Sequence, residues 1–288
     1  MKVCGVSFIR NAVKYDFPFK EAIQSILPLC DMVLIAHGDS DDDTDKLLKT
    51  FPEDKIHVIN TVWDPNITIR GRVLADETNK ALNAIDDEFD WLFYIQGDEV
   101  LHESGYEVIQ NGMHQYLDDH RVEGFLFKYR HFYGSYDYIA DSRRWYHKEI
   151  RIIRNDKSIR SYKDAQGFRK DGQKLKVREL DAYIHHYGWI KPPKIMKEKL
   201  LEQSKFRKDT DIFLQGSNTE FDYSSIDSLS LFKGTHPEVM QPRVAEKNWE
   251  IHLDIKRKKM SGKDRFHYYY EKITGRRLFA YRNYKKLR

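Results

Sequence analysis

Along the first hundred residues, short apolar runs alternate with stretches of helical period. Residues 2–8 are apolar enough for a strand, and the amino terminus reads as that strand rather than as a signal peptide. Pro18 follows Asp16 where a first helical residue would stand. Phe19, Ala22, Ile23, Ile26 and Leu27 then recur at helical spacing until Pro28 stops them. Residues 32–36 form a second strand, which runs into the acidic stretch 37–44, and 45–50 is a short helix closed by Pro52. Residues 56–60 form a third strand. Leu74, Thr78, Ala81, Leu82 and Ile85 mark one face of a further helix. Five consecutive apolar residues from Trp91 then end in Gln96-Gly97-Asp98-Glu99.

This alternation predicts an α/β fold, a parallel sheet with helices on both faces. Right-handed crossovers place the C-terminal ends of the strands on one edge, where open α/β sheets bind ligands. Three loops converge there: 9–11, 37–44 and 96–99. Arg10 is placed to meet a phosphate, beside the amide of Asn11. A carboxylate of the second loop, Asp39 or Asp42, is placed to accept from ribose hydroxyls or a base N–H. Gly97 lets a ligand approach the backbone. Asp98 can hold a divalent cation against phosphate oxygens. No glycine-rich phosphate loop is present, which argues against a dinucleotide enzyme or a P-loop kinase.

After Glu99 the pattern changes. Ser104 begins a helix with Ile109, Met113, Tyr116 and Leu117 on one face, and 124–131, 149–154 and 182–187 read as strands. Tyr129, His131, Phe132, Tyr133, Tyr136, Tyr138, Trp145 and Tyr146 form an aromatic cluster.

Composition adds bounds. With 33% charged and 40% hydrophobic residues the chain is ordinary and globular, and no apolar run approaches the ~18 residues of a membrane span. Cys4 and Cys30 lie in apolar settings, which implies buried thiols and a reducing, cytoplasmic location. From Ile251 to the end, 13 Lys or Arg face 3 Asp or Glu, a local net of +10 on a chain whose total is +4. Such a tail points to an anionic partner surface.

The stretch from Val33 to Thr44 resembles the strand and loop of family 2 glycosyltransferases, commonly written V-V-D-D-G-S-T-D-G-T, with Ser40, Asp42 and Thr44 on matching positions. Thr78-Asn79-Lys80-Ala81-Leu82 is similar to their following helix, and Trp91 to Leu101 to their W-x-L-x-L-D-A-D-E-x-L strand. His186-Tyr187-Gly188-Trp189 and Phe232-Lys233-Gly234-Thr235-His236-Pro237 resemble a bacterial subgroup more loosely. The resemblance implies a GT-A (Rossmann-like) nucleotide-binding sheet over 1–190, with a donor half at 1–101 and an acceptor half at 102–190. A helical, basic extension follows at 191–288. It implies inverting transfer of a sugar from a nucleotide-sugar donor to a glycan or lipid-linked acceptor, in polysaccharide or lipopolysaccharide assembly. Mn²⁺ or Mg²⁺ would be held by Asp98 and His186, the latter in preference to His185. Gln96 stands where the family's D-x-D motif has its first carboxylate, which weakens metal binding while leaving an amide for the ribose. Candidate bases are Asp164 and Glu99.

Two rivals remain. A nucleotidyltransferase acting on sugar phosphates shares such a sheet but would carry a basic, glycine-rich loop after the first strand. A non-catalytic anionic-polymer binder would need the tail but not Asp98. The tail interleaves cations with aromatics, which suits peripheral contact of 256–288 with an anionic membrane at its inner face. No nucleic-acid motif is present, so no nucleic acid is expected.

Overall fold

The computed structural model describes residues 1–206 and 219–287. Its first part follows the alternation in the sequence: β1 (Val3–Ile9), α1 (Phe19–Ile26), β2 (Met32–His37), α2 (Thr44–Leu48), β3 (Ile56–Asn60), α3 (Arg72–Asn83) and β4 (Trp91–Tyr94). β1 pairs in parallel with β2 on one side and β4 on the other, and β2 pairs in parallel with β3. The order β3-β2-β1-β4 reverses direction across β1, which opens a crevice beyond the ends of β1 and β4. Every residue of β1 is buried because both faces are covered. Val33 and Ile35 of β2 pack with Ala22, Ile23 and Ile26 of α1, while Leu34 and Ala36 pack with Ala81 and Leu82 of α3. Each Val, Leu or Ile among them contributes about 1.5–3 kcal/mol on burial. Cys4 and Cys30 are buried thiols.

The apolar run from Trp91 is a strand, but the stretch from Trp91 to Leu101 is not a single one. β4 stops at Tyr94, and β5 (Glu99–Leu101) turns away. Then follow α4 (Tyr106–Gln115), β6 (Gly124–Tyr133), β7 (Ser135–Ala140) and β8 (Lys148–Arg154). A small separate sheet of β9 (Ile159–Tyr162), β10 (Gly167–Lys170) and β11 (Gln173–Lys174) comes next, and then β12 (Lys176–Trp189). β8 lies antiparallel between β4 and β6, which joins the two halves into one sheet. β12 is far longer than the predicted 182–187 because it pairs along β6, β5 and the carboxyl-terminal strand.

Beyond residue 190 come α5 (Pro193–Ser204), β13 (Leu229–Leu231), α6 (Gln241–Ala245), α7 (Gly262–Thr274) and β14 (Lys285–Lys286). Residues 207–218 of the predicted extension, and Arg288 of its tail, lie outside the described residues. Besides its helices, this part adds β13 to β7 and β14 to β12, pairings that local periodicity does not reveal. α7 starts at Ser261, whose Oγ accepts the Asp264 N–H at 3.1 Å, and ends at Gly275 with φ 66°. Its Tyr268 is buried and donates to Asp141 at 2.6 Å, and Arg277 donates to the carbonyls of Arg143 and Trp145. The tail is therefore docked on the body. Among the described residues, no helix is long and apolar enough to cross a membrane.

Candidate active site

A cavity of about 300 Å³ lies at the ends of β1 and β4, as the strand order requires. Of the residues singled out from the sequence, Arg10, Asn11, Gln96, Asp98, Asp164 and His186 line it. His131, Trp145 and Tyr146 of the aromatic cluster line it too, and Trp63, Lys199 and Glu202, not singled out from the sequence, join them.

The turn after β4 builds its floor. Glu99 Oε2 accepts the Gln96 N–H at 3.2 Å and the Glu99 N–H reaches the Gln96 carbonyl at 3.0 Å, so the chain reverses at Gly97-Asp98. β5 then pairs antiparallel with β12, with Glu99 opposite His186 and Val100 opposite His185. The two-residue pleat does the rest. His186 comes to the Asp98 side, its Nε2 3.8 Å from Asp98 Oδ1. His185 points the other way, toward Arg130 and Tyr187. Gly188 leaves room for this arrangement, because a Cβ would meet Asp98 Oδ2 at 2.5 Å and displace it. At Gly97 the requirement is internal rather than a ligand's: a Cβ would press on Ile9 and Phe19.

Three predicted residues do not reach the cavity. Asp42 caps its own loop, accepting from the Thr44 N–H at 3.0 Å and the Lys14 N–H at 2.7 Å. Asp39 is exposed at the rim, 3.5 Å from Arg10 Nε. Glu99 is fully buried under the floor, where Arg151 and Tyr129 occupy both its oxygens. The place beside this edge of the sheet is taken instead by Trp63, which packs over Gly38, with the Arg10 guanidinium 5.6 Å from its ring centroid. Gln96 also has a different task. Its Nε2 donates to Tyr94 Oη at 3.1 Å and to the Ala165 carbonyl at 3.2 Å, tying the Asp164 loop to β4. A carboxylate could not donate to that carbonyl.

Two lysines unforeseen from the sequence add positive charge near Asp98. Lys199 donates to the Gly188 carbonyl at 2.9 Å and to Asp98 Oδ2 at 3.4 Å. Buried Lys191 donates to the Asp16 carbonyl at 2.6 Å. Burial opposes charge on Asp98, but positive charge nearby, from His186 when protonated and then Lys199 and Lys191, prevails and holds its carboxyl at about 2. Burial lowers His186 below its ordinary value and pushes Lys191 down to about 7. The signal for Lys199 was its position: it lies on the inward face of α5 with Met196 and Leu200, at three- and four-residue spacing. A lysine in an apolar stripe needs a partner inside.

The same geometry tests the expected Mn²⁺ or Mg²⁺. Asp98 and His186 are two possible donors, and an ammonium already stands beside the carboxylate. Nδ1 of His186 is buried without a hydrogen-bond partner, whereas a ligating imidazole usually has its second nitrogen oriented by an acceptor. No group of three or more His, Cys, Asp or Glu side chains among the described residues is arranged to hold a metal. These residues fit a divalent cation poorly.

Asp164 stands at a junction. With Trp145, Tyr146 and Gln166 it lines both this cavity and a second one of about 330 Å³, whose far wall is made by Arg277, Tyr281, Asn283 and Tyr284 of the tail. Lys163 and Ala165 on either side of it hold left-handed backbone, φ 57° and 60°, as does Asn11 at 54°. Non-glycine residues held this way concentrate where a structure positions a functional group. The aromatic cluster divides. His131, Trp145 and Tyr146 reach the first cavity. Phe132, Tyr133 and Tyr136 are buried in packing clusters, Tyr138 packs at the edge of one, and the Tyr129 hydroxyl is committed to Glu99.

No protein-family model matches the chain, and a comparison with curated proteins gives no match either. Among solved structures it is similar to S. aureus TarS at 13% identity, over 70% of this chain and 39% of that one, with a TM-score of 0.41. S. aureus TarS 1–349 in complex with UDP-GlcNAc matches at 12%, over 70% and 65%, with a TM-score of 0.40. The 4-diphosphocytidyl-2C-methyl-D-erythritol synthase of Anaerococcus prevotii matches at 10%, over 70% and 94%, with a TM-score of 0.39. The chain thus spans less than two thirds of the TarS chains it matches.

Proposed function

We propose that this chain is a glycosyltransferase of the GT-A, family 2 type and hexosyltransferase class. It moves a sugar from a nucleoside-diphosphate donor to a hydroxyl of a glycan or lipid-linked acceptor, with inversion, in cell-surface polysaccharide or lipopolysaccharide assembly. The observation that carries this reading is Asp164 at the meeting of two cavities, one against the nucleotide edge of an α/β sheet and one opening beneath the tail. The donor lies in the first, its base beside Trp63 and its diphosphate toward Arg10 and Asp98. The acceptor enters by the second, its sugar face on Trp145 and Tyr146. Asp164 takes the hydroxyl proton as the acceptor oxygen bonds to the anomeric carbon. The bond from that carbon to the phosphate oxygen breaks, and its electron pair leaves with the diphosphate. Calorimetry with UDP and GDP, in chelator and with Mn²⁺ or Mg²⁺, tests the donor site. Binding of at least one is expected, and no binding of either under any condition refutes the reading.

The partner surface proposed for the tail is an anionic membrane. Phe266, Tyr269 and Ile273 are 63%, 51% and 84% exposed and share one face of α7, beside Lys263, Arg265 and Arg276. Because the tail also packs on the body, point variants test this better than deletion. Salt-sensitive co-sedimentation with phosphatidylglycerol vesicles is expected. Each cation near such a surface is worth about 1 kcal/mol. Lys263→Ala with Arg265→Ala should therefore weaken binding by about ten- to thirtyfold. No co-sedimentation at low salt, or none of this loss, leaves α7 as a packed surface helix.

A further inference from the structure

We infer that Lys199 is the resident cation of this site: its ammonium stands where a divalent metal would otherwise sit on Asp98, and it neutralises the nucleotide's diphosphate in the metal's place. The inference rests on the donor-site reading above.

Four observations carry it. Lys199 is fixed rather than solvent-borne: its residue is 6% exposed, and its Nζ bridges Asp98 Oδ2 and the Gly188 carbonyl. An ammonium has three donors, and those two contacts leave one for a phosphate oxygen at the cavity it lines. The surroundings give this cation an aromatic neighbour. Its Nζ lies 4.8 Å from the Phe17 ring centroid, and Gly188 keeps the approach to Asp98 clear. They also disfavour a metal, since the carboxylate is already paired and His186 Nδ1 lacks an orienting partner. Finally, α5 brings a second functional residue one turn on. Glu202 holds Arg10 at 3.1 Å, so the same helix sets cations on two sides of the cavity, Lys199 directly and Arg10 through Glu202. Fixed positive charge in a water-poor site is the form of stabilisation a leaving diphosphate requires.

Calorimetry of UDP and GDP with the full chain separates the possibilities. The wild type is expected to bind in chelator with an affinity that Mn²⁺ does not improve. Lys199→Met, which removes the charge while keeping an unbranched chain, is expected to weaken binding in chelator by about ten- to a hundredfold, the worth of a hydrogen bond to a charged group. This variant leaves Asp98 buried and unpaired, so Asp98→Asn with Lys199→Met is the second variant. Its site is neutral, and it must show the same loss. Binding by the wild type only when Mn²⁺ is present overturns the inference while sparing the donor-site reading. So does undiminished binding by the folded variants in chelator. No binding in any condition overturns the donor-site reading and the inference together.

Discussion

Glu99→Ala is expected to destabilise the protein by about 3–5 kcal/mol, the cost of leaving one partner of a buried ion pair alone. Neither Glu99 nor Arg151 has any side-chain exposure. Arg151 donates through Nε and Nη2 to the two Glu99 oxygens, both at 2.7 Å, and Tyr129 adds a bond at 2.8 Å. Without Glu99 the guanidinium is stranded in the core, and the Gln96 N–H that shapes the floor turn loses its acceptor. Domains are stable by only about 5–15 kcal/mol in total, so the loss is large. Urea unfolding measures it directly. Glu99→Leu with Arg151→Met removes both charges and should recover most of the loss. A change below about 1 kcal/mol in the single variant, the size of an exposed pair, would show that Arg151 finds another partner.

Asp164→Asn is expected to lower sugar transfer by about 10²- to 10⁴-fold while nucleotide affinity stays unchanged. The amide keeps the size and polarity of the side chain but cannot take the acceptor's proton. Gln96 holds the neighbouring Ala165 carbonyl in both forms, so the loop should keep its place. The measurement is nucleoside diphosphate release from the donor that binds best, with nucleotide affinity determined in parallel. Full activity of this variant would sink Asp164 as the base. Glu99 cannot replace it there, since its oxygens are engaged beneath the floor.

The parallel β3-β2-β1-β4 core and the helices around it were legible in the sequence, because their signals are local. Apolar runs of strand length and helical spacings such as Ala22, Ile23 and Ile26 record burial within each element, and short connections leave few ways to join them. The edge where Arg10, Asn11, Gln96 and Asp98 meet followed from the same logic. What sits around Asp98 did not. That His186 rather than His185 faces it depends on pairing Glu99 with His186 across 87 residues of chain, and a slip of one residue would exchange them. The sequence resemblance favoured His186, but the pleat is the physical reason. Lys199 arrives on a helix that follows β12 and belongs to no strand of the cavity floor, and Glu99 is drawn below the floor by Arg151 on β8, a strand whose charge among Ile150, Ile152 and Ile153 announces a counter-charge without naming it. Single-element patterns show which side chains are buried. Which buried charge meets which is decided by strand register and helix docking, and these exist only in the assembled chain.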